Sequence, residues 1–78
     1  MNKLPTDISG SELIKILQRE GFSQVGSSGS HISLKKETPE KTYRTVVPLH
    51  SSLAKGTISA ILRQAGITRE RLIELLNS

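Results

Sequence analysis

Val25-Gly26-Ser27-Ser28-Gly29-Ser30-His31-Ile32-Ser33-Leu34-Lys35-Lys36 is the stretch from which the rest of the chain is organised. Its first half is built of small residues. Gly26 and Gly29 accept positive φ without steric cost and the serines bond readily to nearby backbone, so residues 25–30 read as a hairpin turn. In the second half Ile32 and Leu34 alternate with His31, Ser33 and Lys35, the period of a strand. The aliphatic pair then faces a core, while imidazole, hydroxyl and ammonium share a wetter face.

Upstream, Ser9-Gly10-Ser11-Glu12 has the spacing of a capping box, with Ile8 and Leu13 as a hydrophobic staple and Leu13, Ile14, Leu17 and Ile16 as the apolar stripe. Gly21 ends this helix and lets Phe22 fold back on Leu17. Ser23-Gln24-Val25 then reads as a short first strand. Downstream, residues 37–42 are charged and contain a proline, an exposed connection. Tyr43 to Pro48 is β-branched and aromatic, a strand that Pro48 ends or confines to an edge. Residues 49–55 form a loop carrying His50. Gly56-Thr57 opens a second helix with Thr57 as the expected N-cap and Ile58, Ile61, Leu62 and Ala65 as its buried side. After Gly66, Thr68 caps a third helix through Leu72, Ile73, Leu75 and Leu76.

The order is α-β-β-β-α with an added short C-terminal helix, an α+β domain spanning residues 1–78. Both main helices are expected on one face of a three-stranded antiparallel sheet, burying Leu13, Leu17, Val25, Ile32, Leu34, Val47, Ile58, Ile61 and Leu62 and leaving the other face open.

The net charge is +4 and is unevenly spread. Residues 1–30 and 68–78 each balance to zero, whereas 31–67 hold Lys35, Lys36, Lys41, Arg44, Lys55 and Arg63 against only Glu37 and Glu40. A polyanionic partner is the simplest reading, and a basic surface kept for solubility is the bland one. There is no cysteine, hence no disulfide framework and no thiolate metal site. Two histidines and scattered carboxylates make poor metal ligands, and no cofactor motif is present. No apolar run approaches the ~20 residues of a membrane span, and the opening residues lack a leader's apolar core. The expectation is a soluble cytoplasmic protein without membrane contact.

His31 is the one histidine in the expected strands, and on an open basic face an imidazole can move protons for a phosphodiester. RNA carries its own nucleophile, the 2′-hydroxyl, so the chemistry needs a proton acceptor, a proton donor and cations, but no metal. Lys35 and Arg44 are the cationic candidates, and Ser30 and Ser33 can bond to phosphate or ribose. From the residues alone, a lone strand histidine such as His31 is more often structural or merely exposed than catalytic. His50 is either a second proton carrier or a loop residue bonded to backbone.

Leu4-Pro5, Ser9-Gly10, Gly21-Phe22, Gly29-Ser30-His31, Val47-Pro48-Leu49-His50, Lys55-Gly56-Thr57-Ile58 and the run from Ile61 to Gly66 follow one another in an order that resembles the HicA family of toxin ribonucleases. The resemblance implies a double-stranded-RNA-binding-like fold and a metal-independent endoribonuclease that cleaves mRNA and halts translation. It places the catalytic histidine at His31 and implies a HicB-like antitoxin as partner; in the leading reading of this chain's residues Lys35, Lys36 and Arg44 hold phosphates. Where many relatives carry basic or amide residues before Gly-Ser-His, this chain has Gly26-Ser27-Ser28, and Ile32 stands where many repeat the histidine. A non-catalytic RNA-binding module of the same fold is the alternative, and an interaction domain for an acidic protein is the third. Replacement of His31 separates the first two.

Overall fold

The computed structural model describes residues 7–78, so the Leu4-Pro5 piece of the resemblance lies outside the described residues. The elements are α1 (Gly10–Arg19), β1 (Ser23–Ser28), β2 (His31–Glu37), β3 (Thr42–Pro48), α2 (Lys55–Ala65) and α3 (Arg69–Leu76). The strands form one antiparallel sheet in the order β1-β2-β3.

The capping box forms at α1. The Ser9 hydroxyl accepts from the Glu12 N–H at 3.1 Å, and the Glu12 carboxylate accepts from the Ser9 N–H at 2.9 Å. The Ser9 backbone N–H first, and the Ser9 side chain after it, hold the Glu12 carboxyl below the usual carboxylate range. At the other end Gly21 has φ +99°, the Phe22 N–H donates to the Leu17 carbonyl at 3.0 Å and the Gly21 N–H to that of Gln18 at 3.1 Å. This is the Schellman ending, and it drops Phe22 into the core.

The hairpin is tighter than its composition suggests. Ser27 and Ser28 belong to β1, Ser28 pairs with His31, and only Gly29-Ser30 forms the turn. Gly29 has φ +60° while Ser30 and Gly26 keep negative values, the pattern of a type II′ connection with glycine at its first central position. Gly26 instead follows a bulge, because the register shifts between Gln24 and Gly26. A second correction concerns Val25, which is 53% exposed and not in the core, because the helices leave β1 uncovered and all its residues are exposed.

α1 and α2 pack against β3, and every residue of β1 is exposed. The core lies between the helices and the inner side of β2 and β3, where Leu13, Leu17, Leu34, Val47, Ile58 and Leu72 are fully buried. Leu53, absent from the sequence-based core, is buried as well, and its N–H donates to the Ile8 carbonyl at 2.8 Å. That anchor moves the start of α2. Ala54 is its N-cap, without a side-chain bond, and Thr57 lies inside the helix. Burying a leucine contributes about 2 kcal/mol and a hydroxyl cap about 1 kcal/mol, so packing decides where the helix begins.

Gly66 ends α2 at φ +70°, and the Ile67 N–H bonds back to the Leu62 carbonyl at 3.0 Å. Thr68 caps α3 by accepting from the Arg71 N–H at 3.1 Å. Arg71 also grips both oxygens of Glu20 at the end of α1, at 2.9 and 3.1 Å, and thereby lowers the Glu20 pKa. With Leu72 and Leu75 buried, α3 is part of the core layer.

Candidate nucleic-acid interface

The pairing register arranges the open face of the sheet in three cross-strand rows. Ser28, His31 and Pro48 form the first, Gly26, Ser33 and Val46 the second, and Ser23, Lys35 and Arg44 the third. Side chains within a row share a face, because directly paired residues on neighbouring strands point the same way. Ile32, Leu34, Thr45 and Val47 point to the helical side, and all four are buried.

The first row is held at both ends. On one side Gly29 makes the turn; on the other, the Leu49 N–H donates to the Ser30 carbonyl at 2.7 Å and continues the ladder past Pro48. The next residue is His50, whose carbonyl accepts from the Gly10 N–H at 2.9 Å. Gly10 sits so close that a Cβ built there would lie 2.0 Å from the Pro48 carbonyl oxygen and 3.0 Å from the Leu49 Cα. The start of α1 is thus pressed against the end of β3, beside the strand partner of His31. The local pattern assigns Ser9 to the cap of α1, and nothing local announces that Gly10 meets residue 48.

The third row is electrostatically uneven. Lys35 and Arg44 are directly opposite one another, and like charges in that position oppose pairing. Glu37, two residues along β2, lies 3.7 Å from the Lys35 ammonium and is 71% exposed, so it offsets the repulsion only weakly.

The predicted site residues therefore divide. His31, Ser33, Lys35 and Arg44 share the open face, and Ser30 lies in the turn beside it. Lys36 does not join them. It alternates to the helical side, where its ammonium stands 6.0 Å from the centre of the Phe22 ring and its stem runs beneath Gly21. His50 is exposed in the loop that follows Pro48, on the same end of the sheet as His31.

On the helical side a groove of about 650 Å³ separates α2 from the sheet, lined among others by Val25, Leu34, Thr45, Ala60, Ile61 and Gln64. The buried Thr45 hydroxyl donates to the Gln64 side-chain oxygen at 2.8 Å across it. This gives Gln64 a structural task that its place in the Ile61 to Gly66 run did not disclose. Among the described residues no group of three histidines, cysteines or carboxylates is placed to hold a metal ion, and no helix is long and apolar enough to cross a membrane.

The chain is a small α+β domain whose helices cover one sheet face, while the other carries an exposed histidine and a cationic pair. The family described as HicA toxin of bacterial toxin-antitoxin matches residues 10–67. The chain belongs to that family, the toxin half of a toxin–antitoxin system, and so has an antitoxin as partner. The match covers α1 through α2 and stops before α3. A search of curated proteins finds no match.

Proposed function

We propose that the toxin is an endoribonuclease that cleaves mRNA, with His31 as the proton-transferring residue. The observation that carries this reading is the exposed imidazole on an otherwise uncovered sheet face, in a chain of the HicA family. The 2′-hydroxyl of the substrate attacks the adjacent phosphorus, its proton passing to a base. The bond to the departing 5′-oxygen breaks as that oxygen takes a proton from an acid. The products are a 2′,3′-cyclic phosphate and a free 5′-hydroxyl, and no metal is required.

His31 fills one of the two proton roles. His50 is the candidate for the other, because two backbone bonds fasten its segment: Leu49 to Ser30, beside His31, and Gly10 to the His50 carbonyl. Ser30 and Ser33 flank the imidazole in sequence and offer hydroxyls to phosphate or ribose. Lys35 and Arg44 attract and hold the RNA backbone. The inhibitor is a HicB-like antitoxin, for which a basic toxin favours an acidic partner, and an mRNA target places the action in the cytoplasm.

The test is cleavage of a long unstructured RNA with chelator present, by the parent protein, His31→Ala and His50→Ala, each checked for folding. His31→Ala is expected to lose on the order of 10²-fold or more in rate, the usual contribution of a general acid or base. A folded His31→Ala protein that cuts as fast as its parent would sink the proposal. If none of the three proteins cuts but all bind RNA, the chain is a binding module.

A further inference from the structure

We infer that Lys35 and Arg44 form a subsite for a backbone phosphate several nucleotides away from the reacting one, so that the toxin requires an RNA strand extended to that row. The inference rests on the ribonuclease reading for the location of the reacting phosphate. The subsite itself rests on geometry.

His31 and Lys35 are four residues apart on one strand, and at 3.3–3.4 Å per residue their rows lie about 13 Å apart. Lys35 leans toward Glu37, farther still from His31. The cationic pair is thus badly placed to offset charge on a phosphate at the imidazole, which is the role that sequence proximity suggested. It is well placed for another phosphate on the same strand. A stacked strand advances about 3.4 Å per nucleotide, so 13 Å corresponds to about four nucleotides, and to fewer when the strand is extended.

The row between them fits the same path. Gly26, Ser33 and Val46 carry no formal charge, and Val46 is 47% exposed, so this strip offers a low, partly apolar floor to sugar and base rather than to phosphate. The direct opposition of Lys35 and Arg44 costs the sheet stability when empty and is relieved when an anion lies between the two heads. The open face thereby alternates imidazole, neutral floor and cationic pair. That order matches a single strand laid along β2.

The decisive measurement is the affinity of the protein for 2′-O-methyl oligoribonucleotides of two to eight residues, whose blocked nucleophile prevents cleavage. Affinity is expected to step up by roughly tenfold as the length passes three to five nucleotides, the scale of one charge-assisted phosphate contact. The step should be absent in the folded Lys35→Ser/Arg44→Thr double variant. In the parent protein, one uncharged methylphosphonate linkage walked along the octamer should weaken binding sharply at one internal position separated from the mapped cleavage site, a readout independent of any variant. Affinity that climbs evenly with length, a step that survives in the double variant, or a methylphosphonate effect confined to the cleavage position would overturn the subsite. Should the parent protein cut no RNA, the histidine reading fails, while the length step still decides the subsite. An absence of binding at every length overturns the subsite, and leaves the histidine reading to the cleavage assay.

Discussion

The two faces of the sheet are built from the same strands to opposite standards. On the helical side each buried polar side chain among the described residues finds a partner, as Thr45 finds Gln64, and the aliphatic side chains close over Leu34 and Val47. The open side keeps an exposed histidine, a half-exposed valine and two cations set against each other. The first face carries the stability and the second spends a little of it. In an 8.5 kDa chain, where a single layer must supply the whole core, the division leaves the other sheet face uncovered.

Substitutions separate these standards, most strongly where α1 meets β3. Gly10→Ala places a methyl group 2.0 Å from the Pro48 carbonyl oxygen, a backbone atom that cannot swing aside. We expect a loss of about 3 kcal/mol in denaturant unfolding, the upper range for overpacking. A loss below 1 kcal/mol would mean that the junction is looser than its geometry. Gly29→Val probes the hairpin tip, where nothing lies within 4 Å and only the backbone conformation at φ +60° is at issue. A β-branched residue there should cost about 2 kcal/mol, because it tolerates positive φ poorly. An unchanged melting temperature would show that the turn can be remade without glycine. The smallest effect belongs to the open face and has the opposite sign. Arg44→Thr removes the like-charge pair from an exposed strand position and should leave stability unchanged or raise it by a few tenths of a kcal/mol. A clear loss of stability would contradict the division between the faces.

Much of this was legible in local pattern. The capping box, the glycine endings at Gly21 and Gly66, the Thr68 cap and the alternation through β2 each depend on residues within a few positions of one another, and each forms as its spacing implies. The departures share a cause. Val25 is left exposed because the helices do not reach over β1, and Thr57 loses the cap position because Leu53 is anchored against Ile8. Lys36 has the same charge as Lys35, yet strand alternation and the nearby Phe22 ring carry it to the other face.

For the candidate site, the sequence by itself determined the identity and order of the groups: one strand histidine, hydroxyls beside it, a basic middle segment and the motifs of the HicA family. Tertiary structure alone decided their spacing across strands. Register brings Arg44 opposite Lys35 and Pro48 opposite His31, packing brings Gly10 against Pro48, and the ladder fastens Leu49 to Ser30. Neighbours along a strand are fixed by covalent geometry, whereas neighbours across a sheet are chosen by pairing and burial, which involve residues far apart in the chain.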